Sequence, residues 1–251
     1  MNTNFYLTGI FSESVSPIIF VDFDGTIAEK DVIDQILENF ADERWLEVEE
    51  QWTSGKIGSR ECLRQQFALV KAFPAELDEF LDTLKLDEGF PAILRFCKEA
   101  GIEMHIVSDG FEYYIRRMLE KSASNQQLLG GINIWANRLI PCGRNRWRTE
   151  FPYFETACED NCATCKPAVM REQNPFAAPS IFIGDGLSDR FAAQSADIVF
   201  AKKKLSEYCL ENRIPQTAYA NLKQVAECLD EAFENFVMTL TDGQRSWLEA
   251  A

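Results

Sequence analysis

The sequence has almost no histidine: His105 is the only one among 251 residues. Sites that need two or three imidazole ligands, such as those of zinc proteases, cannot be built from one such chain, and neither can the sites of two-histidine phosphatases. If the protein is a hydrolase, carboxylates must therefore act as its acid and base. His105 itself falls in an apolar run, which predicts a residue of the hydrophobic core.

Positive charge is also scarce, since 25 Lys and Arg oppose 40 Asp and Glu and the formal net charge is −15. A charge of this sign repels phosphate backbones and anionic lipid surfaces, so we expect neither nucleic acid nor a membrane as a partner. No stretch approaches the roughly 18 consecutive apolar residues that span a bilayer. Residues 1–17 contain no Lys, no Arg and no sustained apolar run, so we expect no secretory signal and a cytoplasmic location.

The eight cysteines predict reduced thiols or metal ligands before a disulfide framework, because the chain shows no signal for an oxidising compartment. Three of them, Cys158, Cys162 and Cys165, are crowded together. This spacing leaves four interpretations open: free thiols in a loop, a disulfide, an iron–sulfur cluster, or a structural zinc site with Cys142 as the fourth ligand.

Apolar runs that end in polar residues alternate with helical patterns along most of the chain. The runs at Ile18–Val21 and at residues 103–107, 180–183 and 197–200 predict buried strands. Strands that alternate with helices predict an α/β fold with a Rossmann-like parallel sheet flanked by helices. The segment from about residue 130 to residue 165 predicts no regular element. Its basic residues, expected to cover an acidic face or to reach a substrate, are Arg138, Arg144, Arg146 and Arg148.

Residues 29–96 carry a different pattern from the rest of the chain. Apolar residues recur there at spacings of three and four, which is typical of helices. The segment holds 16 acidic and 8 basic residues, about half of the net negative charge. We therefore predict two domains: a core formed by residues 1–28 and 97–251, and a helical domain of residues 29–96 inserted after the first strand.

Three predicted strands end in acidic or hydroxyl residues. The first is followed by Asp22 and Asp24, the second by Ser108 and Asp109, and the third by Asp185 and Asp189. Because the carboxyl ends of parallel strands meet at one edge of a sheet, we expect these side chains to lie close together. Four clustered carboxylates repel one another and require a cation, and a site made only of oxygen ligands suits Mg²⁺.

Such a site can carry out phosphoryl transfer. An ionised Asp22 can attack a phosphate that the metal has neutralised, and a protonated Asp24 can donate to the leaving oxygen. Lys166 would place a positive charge near the phosphoryl oxygens. Ser108, with the backbone amides of Asp109 and Gly110, would donate hydrogen bonds to the phosphate.

Four ordered motifs resemble those of the haloacid dehalogenase superfamily of phosphotransferases. They are Asp22-Phe-Asp-Gly-Thr, Ser108-Asp-Gly after a strand, Lys166, and Gly-Asp185-Gly-Leu-Ser-Asp189. The resemblance implies that Asp22 is phosphorylated transiently and that Asp24 is the general acid and then the general base. It also implies that Asp22, the main-chain carbonyl of Asp24 and Asp185 hold Mg²⁺, with Asp189 as an additional metal partner or an orienting residue. The helical insert corresponds to the cap of the phosphoserine phosphatase branch.

The two positions that recognise the amino acid in phosphoserine phosphatases differ here. They carry Asp31 in place of Glu and Gln66 in place of Arg, so we expect both, together with Trp52, to contact a substrate other than phosphoserine. The cysteines before Lys166 resemble those of a methionine-salvage phosphatase family, which implies 2-hydroxy-3-keto-5-methylthiopentenyl-1-phosphate as substrate. The alternatives are a phosphoserine phosphatase or another small-metabolite phosphatase of the same branch, a cysteine-ligated iron–sulfur or redox protein, and a binding module without catalysis.

Overall fold

The apolar run Ile18–Val21 forms the central strand of a sheet in the computed structural model, which describes residue 7 and residues 9–12, 15–121 and 132–240. Residues at both ends of the predicted core domain lie outside the described ranges. The same is true of residues 130 and 131, at the start of the segment predicted to be irregular. The described strands are β1 (Ile18–Val21), β2 (Glu103–Phe111), β3 (Asn133–Cys142), β4 (Arg146–Glu150), β5 (Ser180–Gly184), β6 (Ile198–Ala201) and β7 (Thr217–Ala218).

The strands lie in the order β4-β3-β2-β1-β5-β6-β7. Every neighbouring pair is parallel except β3 and β4, which are antiparallel. Alternate residues of β1 belong to different hydrophobic clusters, Ile19 and Val21 to one and Phe20 to the other, because successive side chains of a strand point to opposite faces. Both faces of the sheet are therefore covered, and the predicted parallel sheet flanked by helices is confirmed.

The α-helices of the described residues lie between these strands in the chain, except the last, which follows β7. They are α1 (Val32–Phe40), α2 (Trp45–Thr53), α3 (Ser59–Leu69), α4 (Pro74–Leu81), α5 (Phe90–Glu99), α6 (Glu112–Lys121), α7 (Lys166–Gln173), α8 (Arg190–Ser195), α9 (Lys203–Glu211) and α10 (Leu222–Thr239). Within these residues, no helix combines the length and the apolar character that crossing a membrane requires.

Helices α1 to α5 lie between β1 and β2, as the helical pattern of residues 29–96 predicts. The predicted boundary after residue 96 falls within α5, which packs against α10. A side-chain carbon at Gly89, just before α5, would overlap the backbone of Leu222 and Lys223. The division into core and inserted domain stays a prediction.

The expectation of an irregular segment from residue 130 to residue 165 is wrong for its first half, where β3 and β4 form a hairpin at the sheet edge. Exposed arginines alternate along β4 with the buried Trp147. The indole of Trp147 donates to the carbonyl of Ala72, which joins the hairpin to the helical insert. The sequence pattern of β4 is a weak strand signal because only one face of this strand is buried. The buried side chain on that face, Trp147, packs on a segment that is distant in the sequence.

His105 lies in the core, as predicted. Its side chain is only 1% exposed, and its ring stacks on Phe20 with centroids 5.2 Å apart. The indole nitrogen of Trp135 donates to His105 Nδ1 over 3.1 Å.

Candidate active site

A cavity of about 310 Å³ lies where the carboxyl ends of the central strands meet the helical insert. The predicted site residues that line it are Asp22, Asp24, Asp31, Gln66, Ser108, Asp109, Gly110 and Asp185. The other two, Lys166 and Asp189, are buried and form bonds to residues of its wall. Trp52 also lines the cavity, whereas none of the four arginines between residues 138 and 148 does.

Asp22 and Lys166 form a buried ion pair. Lys166 Nζ lies 2.7 Å from Asp22 Oδ1 and also bonds to Asp189 Oδ1. Burial and the charge of Asp189 raise the pKa of Asp22, while Lys166 opposes the rise. Burial alone would lower the pKa of Lys166, but the two carboxylates raise it, so the ammonium stays charged. This cation offsets part of the repulsion among the acidic groups.

Asp189 uses both carboxylate oxygens within the protein. Oδ1 accepts from Lys166, and Oδ2 accepts from the backbone amides of Asp185 and Gly186, each over 3.0 Å. These bonds make Asp189 an orienting residue for the lysine and for the loop after β5. Direct coordination of a metal by Asp189 stays a prediction.

Asp24 is held by three hydrogen bonds. Its Oδ2 accepts from Tyr114 Oη over 2.7 Å and from Ser108 Oγ over 3.1 Å, and its Oδ1 accepts from the amide of Val32 over 3.1 Å. Burial raises the pKa of Asp24 to about 6, against the lowering effect of these bonds. A carboxyl with this pKa can both donate and accept a proton near neutral pH.

Asp185 joins the loop after β5 to the motif that follows β1. Its Oδ1 accepts from Thr26 Oγ1 over 3.3 Å, and its Oδ2 lies 2.9 Å from Lys203 Nζ. Gly25 has a φ of +70°, and a side-chain carbon there would overlap the Asp185 carboxylate. A glycine is therefore required at this position both by the backbone conformation and by the close approach.

The acidic residues fit a hard divalent cation. Asp22, Asp185 and Asp189 each offer a ligand atom, and these atoms lie within 4.8 Å of one another. Burial and mutual repulsion raise the pKa of Asp22 and Asp185, which is the condition that a bound cation relieves. A set of carboxylate oxygens without nitrogen or sulfur suits Mg²⁺.

The predicted strand end at Ser108 is wrong: β2 continues through Phe111, although its pairing with β3 is irregular between Val107 and Phe111. The amide of Gly110 donates to Ser108 Oγ over 2.9 Å. The carboxylate of Asp109 accepts from Ser59 Oγ over 2.7 Å and from the amide of Thr164 over 3.0 Å. Asp109 thus connects β2 to the helical insert and to the segment before Lys166, while phosphate binding by Ser108, Asp109 and Gly110 stays a prediction.

The two predicted substrate-recognition residues take different positions in the cavity. Asp31 caps α1 by accepting from the amide of Asp34 over 3.1 Å. Gln66 is buried on α3, and its Nε2 donates to Glu49 Oε2 over 2.9 Å. Both line the cavity, and contact with a substrate stays a prediction for both.

Of the four interpretations left open for the cysteines, the structure does not support the zinc site. Cys158, Cys162 and Cys165 are half-buried, whereas Cys142 is exposed at the end of β3. All eight cysteines lie within the described ranges. In those ranges, the one group of three or more potential metal ligands whose atoms lie within 4.8 Å of one another consists of aspartates and contains no cysteine. Neither a zinc site nor an iron–sulfur cluster is supported, and the eight cysteines are free thiols.

Three further residues of the site have no separate signal in the sequence. Tyr114 lies on α6, one turn after the Ser-Asp-Gly motif, and its hydroxyl contacts Asp24. Glu49 bonds to Gln66 from the neighbouring helix, and Lys203 contacts Asp185 from the start of α9. Each belongs to an ordinary helical pattern, so only its tertiary contact distinguishes it.

Comparison with known proteins supports the fold and the motifs. Residues 19–194 match the model of a family described as haloacid dehalogenase-like hydrolase. A protein of Geobacillus thermodenitrificans named 2-hydroxy-3-keto-5-methylthiopentenyl-1-phosphate phosphatase is 28% identical over 215 residues, which cover 84% of this chain and 94% of the relative. A protein of the same name from Brevibacillus brevis is 28% identical over 222 residues, covering 88% and 98%.

Solved structures of phosphoserine phosphatases are similar in fold. A phospho-aspartyl intermediate analogue of phosphoserine phosphatase has a TM-score of 0.64 at 20% identity, covering 84% of this chain and 97% of that chain. A probable phosphoserine phosphatase from Vibrio cholerae has a TM-score of 0.67 at 18% identity, covering 94% and 70%. The family match spans well over half of the chain and confirms the predicted hydrolase class. This chain therefore belongs to the haloacid dehalogenase-like hydrolase family.

Proposed function

We propose that this chain is a Mg²⁺-dependent phosphomonoester hydrolase that acts through a phosphorylated Asp22. The observation that carries the proposal is the shared cavity of Asp22, Asp24, Ser108 and Asp185, with Lys166 Nζ 2.7 Å from Asp22 Oδ1. A nucleophile, a proton donor, hydrogen-bond donors and a fixed positive charge are thus gathered at one edge of the sheet.

Asp22, the main-chain carbonyl of Asp24 and Asp185 would hold the Mg²⁺. When bound, the ion supplies positive charge that offsets the repulsion between the carboxylates and an incoming phosphate. The chain itself orients the carboxylates through Lys166, Lys203 and Thr26.

The reaction would proceed in two displacements at phosphorus. A carboxylate oxygen of Asp22 attacks, the bond between phosphorus and the alcohol oxygen breaks, and Asp24 donates a proton to that oxygen. A water molecule then gives a proton to Asp24 and attacks the phosphorus, which breaks the bond to Asp22 and releases inorganic phosphate. The raised pKa of Asp24, about 6, suits a group that alternates between acid and base.

Other residues would bind and orient the phosphate. Lys166 would place its charge beside the phosphoryl oxygens, and Asp189 would hold the lysine in position. Ser108 and the amides of Asp109 and Gly110 would donate hydrogen bonds to the phosphate. For Ser108 and Gly110, these bonds would replace those to Asp24 and to Ser108 Oγ, respectively.

The substrate would be a small phosphorylated metabolite. The names of the relatives from Geobacillus and Brevibacillus support 2-hydroxy-3-keto-5-methylthiopentenyl-1-phosphate. Asp31, Gln66 and Trp52, which line the cavity, would contact the part of the substrate beyond the phosphate. Residues 29–96 would form a cap over the site, and the enzyme would work in the cytoplasm.

The nucleophile can be tested with an Asp22→Asn variant. We expect kcat/KM for p-nitrophenyl phosphate with Mg²⁺ to fall at least about a thousandfold, because an amide oxygen is a poor nucleophile. Asp42→Asn, at an exposed aspartate paired with Arg44, is the matched control and should retain full activity. Undiminished turnover by Asp22→Asn would exclude Asp22 as the nucleophile. A panel with the methionine-salvage intermediate and phosphoserine, ranked by kcat/KM, tests the substrate.

A further inference from the structure

The helical insert contributes acidic and neutral residues to the cavity and no basic ones. Residues of α1, α2 and α3 that line it include Asp34, Glu49, Trp52 and Gln66, and Asp31 lies just before α1. A substrate that reaches these helices therefore meets carboxylate and amide groups and apolar side chains such as Leu63, and no arginine or lysine of the insert.

Glu49 determines which end of the Gln66 amide a ligand meets. Gln66 is only 1% exposed, so its amide has little freedom to turn, and its Nε2 donates to Glu49 Oε2 over 2.9 Å. An ionised carboxylate only accepts hydrogen bonds, so the amide must direct its NH₂ group toward Glu49. The carbonyl oxygen of Gln66 is then the amide atom that can serve a ligand, and it is an acceptor.

The two lysines of α9 that line the cavity are close to carboxylates of the protein. Lys203 Nζ bonds to Asp185 Oδ2 over 2.9 Å and to the carbonyl of Gly25 over 3.3 Å. Burial raises the pKa of Asp34 and Glu49, and the positive charge of Lys204 partly offsets that rise. Both lysines thus balance negative charge that is already present in the cavity wall.

We propose that the Glu49–Gln66 pair selects phosphate esters whose alcohol part donates hydrogen bonds, through hydroxyl or ammonium groups, and carries no carboxylate. This inference rests on the proposed phosphatase function and narrows its substrate class. A hydroxyl or ammonium group pairs with the carbonyl oxygen of Gln66. A carboxylate at the same place meets another acceptor and the negative charges of Asp34 and Glu49. Glu49 acts here as a positioning residue, because it works through Gln66.

Two pairs of phosphate esters compare an alcohol part that has only hydrogen-bond-donating groups with one that also carries a carboxylate. The carbon skeletons within each pair are similar. Glycerol 3-phosphate carries a hydroxymethyl group where 3-phosphoglycerate carries a carboxylate. O-phosphoethanolamine and phosphoserine differ by the presence of a carboxylate, and this pair tests the ammonium donor. We expect kcat/KM to favour the ester without the carboxylate by about tenfold or more in each pair, because an unpaired acceptor and nearby negative charges both weaken the binding of a carboxylate.

The Glu49→Gln variant tests the assigned role of the pair. A glutamine at position 49 can donate as well as accept, so the Gln66 amide is no longer held in one orientation, and the preference within each pair should shrink severalfold. Glu50→Gln, at the exposed neighbouring residue outside the cavity wall, is the matched control and should keep the wild-type preference. Equal kcat/KM values within the pairs for the wild type, or an unchanged preference in Glu49→Gln, would overturn the inference.

Hydrolysis of p-nitrophenyl phosphate separates this inference from the function on which it rests. An enzyme that hydrolyses this ester without discriminating within the pairs is a phosphatase whose specificity does not depend on Glu49 and Gln66. An enzyme that hydrolyses none of the esters in the presence of Mg²⁺ overturns the proposed function, and the inference with it.

Discussion

Tyr114 Oη donates a 2.7 Å hydrogen bond to Asp24 Oδ2, although the two residues are 90 positions apart in the sequence. Both side chains are buried, and the same carboxylate oxygen accepts from Ser108. The tyrosine therefore holds the carboxyl of the proposed general acid in one orientation without being close to it in the chain.

The Tyr114→Phe variant, which lacks this hydroxyl, should have a kcat about tenfold lower and a smaller change in KM. The reason is that the lost hydrogen bond orients Asp24, and general acid catalysis depends on the orientation of the acid. Steady-state kinetics with p-nitrophenyl phosphate measures both constants. The neighbouring Tyr113 provides a matched control, since its hydroxyl donates to Asp78 over 2.7 Å outside the cavity. Equal kcat values for Tyr114→Phe and Tyr113→Phe would contradict the prediction.

Gly110 should tolerate no side chain. A Cβ at this position would overlap Tyr114 Oη and Asp24 Oδ2, so Gly110→Ala must displace both groups. We expect activity to fall below about 1% of the wild type and the free energy of unfolding to fall by about 1–3 kcal/mol, the usual effect of overpacking. In Gly186→Ala the nearest atom would lie 3.6 Å from the new carbon, so this variant should keep its stability. Similar unfolding curves for the two variants would argue against the steric explanation.

Lys166 should stabilise the fold as well as the site. Replacing it by methionine leaves the carboxylates of Asp22 and Asp189 buried without their shared cation. We expect the free energy of unfolding in urea to fall by about 3 kcal/mol, as when one partner of a buried ion pair is removed. Lys223→Met, which removes an exposed pair with Glu227, should change it by less than about 1 kcal/mol. A stability of Lys166→Met equal to that of the wild type would show that the pair makes no net contribution.

Mg²⁺ should raise the thermal stability of the protein even without a substrate. A ligand that binds only the folded state stabilises it by about 2.7 kcal/mol at a hundred times its Kd, which corresponds to several degrees in Tm. The Asp185→Asn variant should lose this increase because one charged ligand is removed, and Asp42→Asn should retain it. The prediction fails if Mg²⁺ raises the Tm of Asp185→Asn as much as that of the wild type.

His105 should make stability depend on pH. Burial lowers the pKa of His105 below its usual value, although the negative charge of Glu103 opposes this shift. The folded protein therefore favours the neutral ring, and the unfolded chain binds the proton more readily. Its contribution is therefore present above about pH 6.5, the ordinary histidine pKa, and is lost as the pH falls below that value.

A His105→Gln variant isolates this effect, because glutamine can still accept from Trp135 but does not titrate. Between pH 7.5 and 5.5, chosen as test conditions, wild-type stability should fall relative to the variant by up to about 1.4 kcal/mol per pH unit. Other groups that titrate in this range affect both proteins alike, so only the difference between the two curves matters. Parallel curves would mean that His105 does not contribute.

The elements that could be predicted are those whose signal is local. β1 and β5 are short apolar runs that end in acidic motifs, and parallel strands must bring those ends to one edge of the sheet. For this reason the positions of Asp22, Asp24 and Asp185 followed from the sequence together with one topological rule. The β3–β4 hairpin could not be predicted in the same way, because Trp147 is buried by a contact with residue 72 of the helical insert.

The α/β class, the order of the motifs and the type of chemistry follow from the sequence alone. The chemistry follows because a single histidine and fifteen surplus acidic charges leave catalysis to carboxylates. Which side chains hold those carboxylates depends on how the elements pack. Tyr114, Lys203 and Glu49 belong to ordinary helices, and their contacts with Asp24, Asp185 and Gln66 arise only when the helices pack. Hydrogen bonds and interactions between buried charges depend on the distance between two groups in space. The spacing of residues along one helix or strand does not specify that distance when the two groups belong to different elements.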